Sequence, residues 1–87
     1  NYFERIKQLE ETAGSFAGIK KTYAISAGRE VRVIVDNDRI ADNGMGSLAE
    51  DIAKKISEEL SFPGIIKVNL IRYTKSTDYA REQKSRK

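Results

Sequence analysis

The sequence predicts an α+β domain in the order α-β-β-α-β, a three-stranded sheet with two helices on one face. Two stretches repeat apolar side chains at spacings of three and four, and three stretches carry the alternation or β-rich composition of strands. The 87 residues suffice for one domain. That domain is taken to span 1–81, and 82–87 form a polar basic tail.

The first helix covers 2–13, where Phe3, Ile6, Leu9 and Ala13 form the apolar stripe and Gly14 supplies a stop. Residues 15–18 form a turn with Phe16 tucked beneath it. The first strand, 19–26, rests on Tyr23 and Ile25. A turn at Ala27-Gly28-Arg29 closes a hairpin onto the second strand, 30–35. There Val31, Val33 and Val35 share one face while Arg32 and Ile34 share the other.

Residues 36–46, rich in Asp, Asn and Gly, read as a loop. Ser47 and Glu50 have capping-box spacing ahead of a second helix, in which Leu48, Ile52, Ile56 and Leu60 form a ladder. Phe62-Pro63-Gly64 turns the chain into a third strand, 65–73. In it Ile66, Val68 and Leu70 face the helices, and Ile65 and Ile71 lie opposite, beside Lys67 and Asn69. The second helix is then a crossover, right-handed by the usual rule. Strand three lies antiparallel beside strand one or parallel beside strand two; the first is the expectation.

Composition narrows the chemistry. The chain has no His and no Cys, which removes the commonest general acid–base group, the thiolate nucleophile and the nitrogen and sulfur ligands of zinc. No apolar run approaches the roughly 18 residues of a membrane span, and no signal peptide is visible. The chain starts inside a helical pattern without an initiator Met and reads as a fragment of something longer.

Asp36-Asn37-Asp38 and Asp42-Asn43-Gly44 invite a calcium reading, but from Asp36 the EF-hand register meets Ile40, Ala41 and Ser47 at its fifth, sixth and twelfth positions. A plain turn is expected instead. Gly44-Met45-Gly46-Ser47 precedes a helix, as a phosphate cradle does, but no Lys follows at P-loop spacing. The element order suggests half of a KH module, yet the GXXG loop between two helices is missing. Charge is uneven: residues 1–66 carry nine basic and eleven acidic side chains, net −2, and residues 67–87 carry seven against two, net +5. A solvated tail is preferred to a nucleic-acid arm, because only Tyr73 and Tyr79 accompany it.

Read continuously, Tyr23 to Val35, Leu48 to Ile56 and Glu58-Glu59-Leu60 resemble the end region of the ribonuclease Y family. The likeness continues through Pro63-Gly64, Ile66-Lys67-Val68, Ile71-Arg72 and Asp78-Tyr79-Ala80. Leu9-Glu10-Glu11, Ser15-Phe16 and Gly18 match the preceding helix and turn. It covers residues 1 to about 81. The chain departs from the family pattern at Asp36-Asn37-Asp38, where a Lys-Pro-Glu-like start is usual, at Tyr73, where an acidic residue is common, and in a tail that runs past the usual end.

The resemblance implies a parent that is a bacterial endoribonuclease starting mRNA decay, built from a membrane-anchoring helix, a coiled coil, a KH domain, a metal-dependent HD domain and this segment. Divalent metal is expected only in the upstream HD domain; no cofactor, metal ligand or catalytic residue is assigned here. The segment is expected in the cytoplasm without direct membrane contact, its parent anchored at the inner face of the cell membrane. The leading expectation is an accessory role: packing on the HD domain or a homodimer partner, or docking of RNA-decay proteins. The alternative is an RNA-backbone surface built from Lys20, Lys21, Arg29, Arg32 and Arg72. A free-standing enzyme ranks far below both.

Overall fold

The computed structural model describes residues 1–83, so Lys84–Lys87 of the expected tail lie outside the described residues. Its elements are α1 (Tyr2–Ala13), β1 (Ile19–Ile25), β2 (Glu30–Val35), α2 (Met45–Glu59) and β3 (Lys67–Ile71). Short 3-10 turns at Ser26–Gly28 and Asp42–Gly44 join β1 to β2 and precede α2. The expected α+β class and element order hold.

α1 starts where Asn1 can cap it: the Asn1 side-chain oxygen accepts the Glu4 N–H at 2.9 Å, satisfying one of the free donors of the first turn. The stripe on α1 buries Leu9 and Ala13, and that on α2 buries Ile52 and Ile56. Both sets close on Val31, Val33 and Val35 of β2, and these seven side chains are the core. Phe16, Leu48, Leu60, Phe62, Val68 and Leu70 pack around it. The alternation of β2 therefore sends its valines to the helices and leaves Arg32 exposed on the other face.

The sheet order is β1-β2-β3, with β1 antiparallel and β3 parallel to β2. This corrects the expectation that strand three pairs with strand one. The edge of β1 is partly engaged by α1: the Glu10 carboxylate accepts the Ala24 N–H at 2.8 Å, and the Glu10 carbonyl accepts the Thr22 hydroxyl at 3.0 Å. A covered edge does not recruit a strand. β3 takes the other side of β2 instead, beginning where the Lys67 N–H donates to the Arg29 carbonyl at 2.9 Å. Residues 36–66, with α2 among them, give the long crossover that parallel pairing requires.

The capping box is also corrected. α2 begins two residues before Ser47, at Met45, and its N-cap Gly44 makes no side-chain cap bond. The 3-10 turn runs directly into the helix, the Gly44 N–H donating to the Ala41 carbonyl, so Ser47 falls inside the first turn. The acidic cluster after β2 is a turn, as expected: Asp36 Oδ1 accepts the Asp38 N–H at 2.9 Å, and the Asp36 carbonyl accepts the N–H groups of Arg39 and Ile40. Gly18 closes this end. Its φ of +88° is left-handed, and a Cβ there would stand 2.6 Å from Ile40 Cδ1.

The opposite end is strained. Ser26 and Ala27 both have left-handed φ, 54° and 57°, ahead of Gly28 at 82°. Each non-glycine residue held this way costs about 1–2 kcal/mol. The turn tolerates the cost because it is pinned between its strands and α1, where the Ile6 Cδ1 lies 3.0 Å from the position of a Gly28 Cβ.

Candidate functional site

The register makes the open face of the sheet a grid of three rows. Lys21 lies across from Ile34 and Ile71, Tyr23 from Arg32 and Asn69, and Ile25 from Glu30 and Lys67. Tyr23, at the centre of β1, is 43% exposed, and the Lys21 ammonium sits 5.6 Å from its ring centroid. Arg32 Nε pairs with Glu30 Oε2 at 3.4 Å, an exposed contact that adds little to stability. Three cations and one carboxylate leave this face net positive.

Of the five cations named from sequence, the structure brings only Lys21 and Arg32 together on this face. Arg29 sits beyond the hairpin turn, with its Nε–H donating to the Ser26 carbonyl at 3.1 Å. Lys20 lies at the irregularity in the β1 ladder, toward the other end of the strand. Arg72 acts as a clamp on the loop after β2: its Nε donates to the Ile40 carbonyl at 2.8 Å and its Nη2 to the Asn37 carbonyl at 3.3 Å. Asn37 also donates its side-chain N–H to the Tyr73 carbonyl, so the same loop is tied to the chain after β3 from both sides. Tyr23 and Lys67 were not among the named residues. Alternation places each on the polar face of its own strand, but only the register shows that Tyr23 lies across from Arg32 and Lys67 across from Glu30 in the next row.

A second surface lies at the strained end. The first turns of α1, the hairpin turn and the α2–β3 connection enclose a groove of about 350 Å³. Its walls are Tyr2, Ile6, Leu9, Leu60, Phe62 and Ile66, and the turn residues Ala27 and Gly28 close one side. Arg5 and Arg29 supply the charge of the lining, which contains no carboxylate. A smaller hollow of about 180 Å³, bounded by Ala53, Ile56, Ile65 and Val68, shares Phe62 and Ile66 with it. The apolar surface continues outward: Phe3 is 79% and Ile65 85% exposed. Such patches mark interaction sites more often than scattered surface leucines do.

Among the described residues no group of three His, Cys, Asp or Glu side chains could hold a metal ion, and no helix is long and apolar enough to cross a membrane. What the two surfaces offer is binding: a cationic sheet face around one tyrosine, and an apolar groove rimmed by two guanidinium groups.

Similarity to characterised proteins is extensive along this chain. It is 57% identical over 81 residues to ribonuclease Y of Borreliella afzelii, 52% over 80 residues to that of Lachnoclostridium phytofermentans, and 51% over 81 residues to that of Treponema pallidum. These matches take in 92–93% of the chain but only 16% of each relative, so the chain spans about one sixth of the length of the curated relatives it matches. No protein-family model matches, and no solved structure does. Along nearly its whole length the chain matches one segment of ribonuclease Y, consistent with a C-terminal domain of that enzyme family.

Proposed function

We propose that the chain is a non-catalytic accessory domain of a ribonuclease Y-like endoribonuclease that initiates mRNA decay. It serves the enzyme by packing within it, by joining protomers or by docking a partner. The observation that carries this reading is the apolar groove between α1, the hairpin turn and the α2–β3 connection, with Phe3 and Ile65 exposed nearby. A domain this small has little apolar surface to spare, so leaving this much uncovered favours a surface that another polypeptide covers. In this reading hydrolysis belongs to an upstream HD domain that binds divalent metal. The domain works in the bacterial cytoplasm, in an enzyme anchored to the inner face of the membrane.

A second reading has its own support. Lys21 and Arg32 neighbour Tyr23 on the open sheet face and Lys67 adds a cation on the far strand, a combination suited to RNA phosphates with a base stacked on the ring. On that reading the domain guides RNA to the upstream site.

Deletion of the region equivalent to residues 15–81 from a full-length ribonuclease Y separates the two. The accessory reading expects a changed oligomer mass or partner set, with metal-dependent cleavage of a short RNA oligonucleotide within about twofold of wild type. Unchanged mass and partners with a loss of salt-sensitive RNA affinity supports the second reading. No change in mass, partners or cleavage overturns both.

A further inference from the structure

We propose that the groove bounded by α1, the hairpin turn and the α2–β3 connection binds an acidic, apolar peptide segment of a separate partner protein. This rests on the accessory-docking reading and names the chemistry of what docks.

The apolar part follows from the walls. Ile6, Leu9, Leu60, Phe62 and Ile66 present hydrocarbon to a space of about 350 Å³, within the range of about 300–1,000 Å³ typical of ligand pockets. Such a space suits bulky side chains on a peptide better than it suits a sugar-phosphate chain, which would strand its charge against hydrocarbon.

The acidic part follows from the rim. Arg5 and Arg29 are exposed, neither is in an ion pair among the described residues, and no carboxylate lines the groove. The Nε–H of Arg29 is committed to the Ser26 carbonyl, which steadies the side chain and leaves its Nη groups for a carboxylate. The turn that carries Arg29 holds Ser26 and Ala27 in the left-handed region, so its placement beside the groove is maintained against a local preference.

A second copy of this chain is the wrong occupant by charge. Its sequence after β3, residues 72–87, carries net +4 and would meet two arginines. Its sequences that are both acidic and apolar, such as Ile56 to Leu60, are folded into α2 and its end, with Ile56 fully in the core. The peptide therefore comes from a different protein.

The test uses the 87-residue chain and three fluorescein-labelled twelve-residue peptides: leucine–glutamate, the same with lysine for glutamate, and the same with serine for leucine. The expected result is saturable anisotropy change with the leucine–glutamate peptide and at least tenfold weaker binding of the other two. Amide shifts should be centred on Ile6, Gly28 and Phe62. The double variant Arg5→Glu with Arg29→Glu, folded by circular dichroism, should weaken the leucine–glutamate peptide at least tenfold; Arg5→Lys with Arg29→Lys should weaken it less.

Absence of binding, equal binding of the lysine peptide, or shifts centred on Tyr23 and Arg32 overturns the proposal. So does displacement of the peptide from the groove by oligouridylate. A full-length ribonuclease Y that binds the peptide tenfold more weakly than the isolated chain also overturns it, since the enzyme's own segment then fills the groove. These failures leave the accessory reading standing if the deletion described above still alters the oligomer mass or partner set.

Discussion

Replacing Ile52 with alanine is expected to remove a large part of the stability of the fold. Ile52 is fully buried at the junction of α2 with the β2 valines, and truncations of this kind cost about 2–5 kcal/mol through lost burial and the cavity left behind. At roughly 0.05–0.15 kcal/mol per residue, the whole domain has on the order of 4–13 kcal/mol to lose. For a domain of this size each kcal/mol moves the midpoint by about 4–8 °C, so a fall of roughly 8–40 °C is expected by calorimetry. Ile65→Ala is the control: with 85% of that residue exposed, the midpoint should move by no more than a few degrees, about the effect of an ordinary surface change. Equal losses at both positions would contradict the core assignment.

Glu10→Ala is expected to destabilise by about 1–3 kcal/mol, because it leaves the part-buried Ala24 N–H without its acceptor. The effect should be local as well as global: exchange of the Ala24 amide should speed up more than that of Val33, and Glu10→Gln, which keeps an oxygen, should lose less. A freed edge on β1 should also raise concentration-dependent association, visible by light scattering. Equal stability and unchanged Ala24 exchange would show that Glu10 does not guard this edge.

The same glutamate explains where the sequence was hard to read. Local elements were legible because each rests on its own periodicity: α1 runs over the expected residues, and the valine alternation of β2 sets both its span and its buried face. Strand order depends instead on which edge of the hairpin is already engaged. That edge is covered by a side chain fourteen residues away from its partner, a residue that in the sequence is one of several charges on a wet helix face. At Ser47 and Glu50 the spacing was present but the 3-10 turn at Asp42–Gly44 delivered the chain to the helix earlier.

The candidate surfaces divide in a similar way. Lys21 and Arg32 were visible as cations on strands, whereas their grouping with Tyr23 and Lys67 is a property of cross-strand register. Arg72 shows the converse: a cation that looked available is bonded to the carbonyls of Asn37 and Ile40. The groove was not legible. Its walls come from three segments separated by tens of residues, and Arg5 has no local signature that distinguishes it from any other helix-surface arginine.

The most direct test of the docking account is the solution mass of a full-length ribonuclease Y together with its co-purifying partner proteins, measured by size exclusion with light scattering. Two variants are compared: one with charge reversals at Arg5 and Arg29 on the groove, the other with reversals at Lys21 and Arg32 on the open sheet face. The expected result is a shifted complex mass for the groove variant alone. A groove variant with wild-type mass, beside an open-face variant that loses RNA affinity, would contradict docking as the role of this domain.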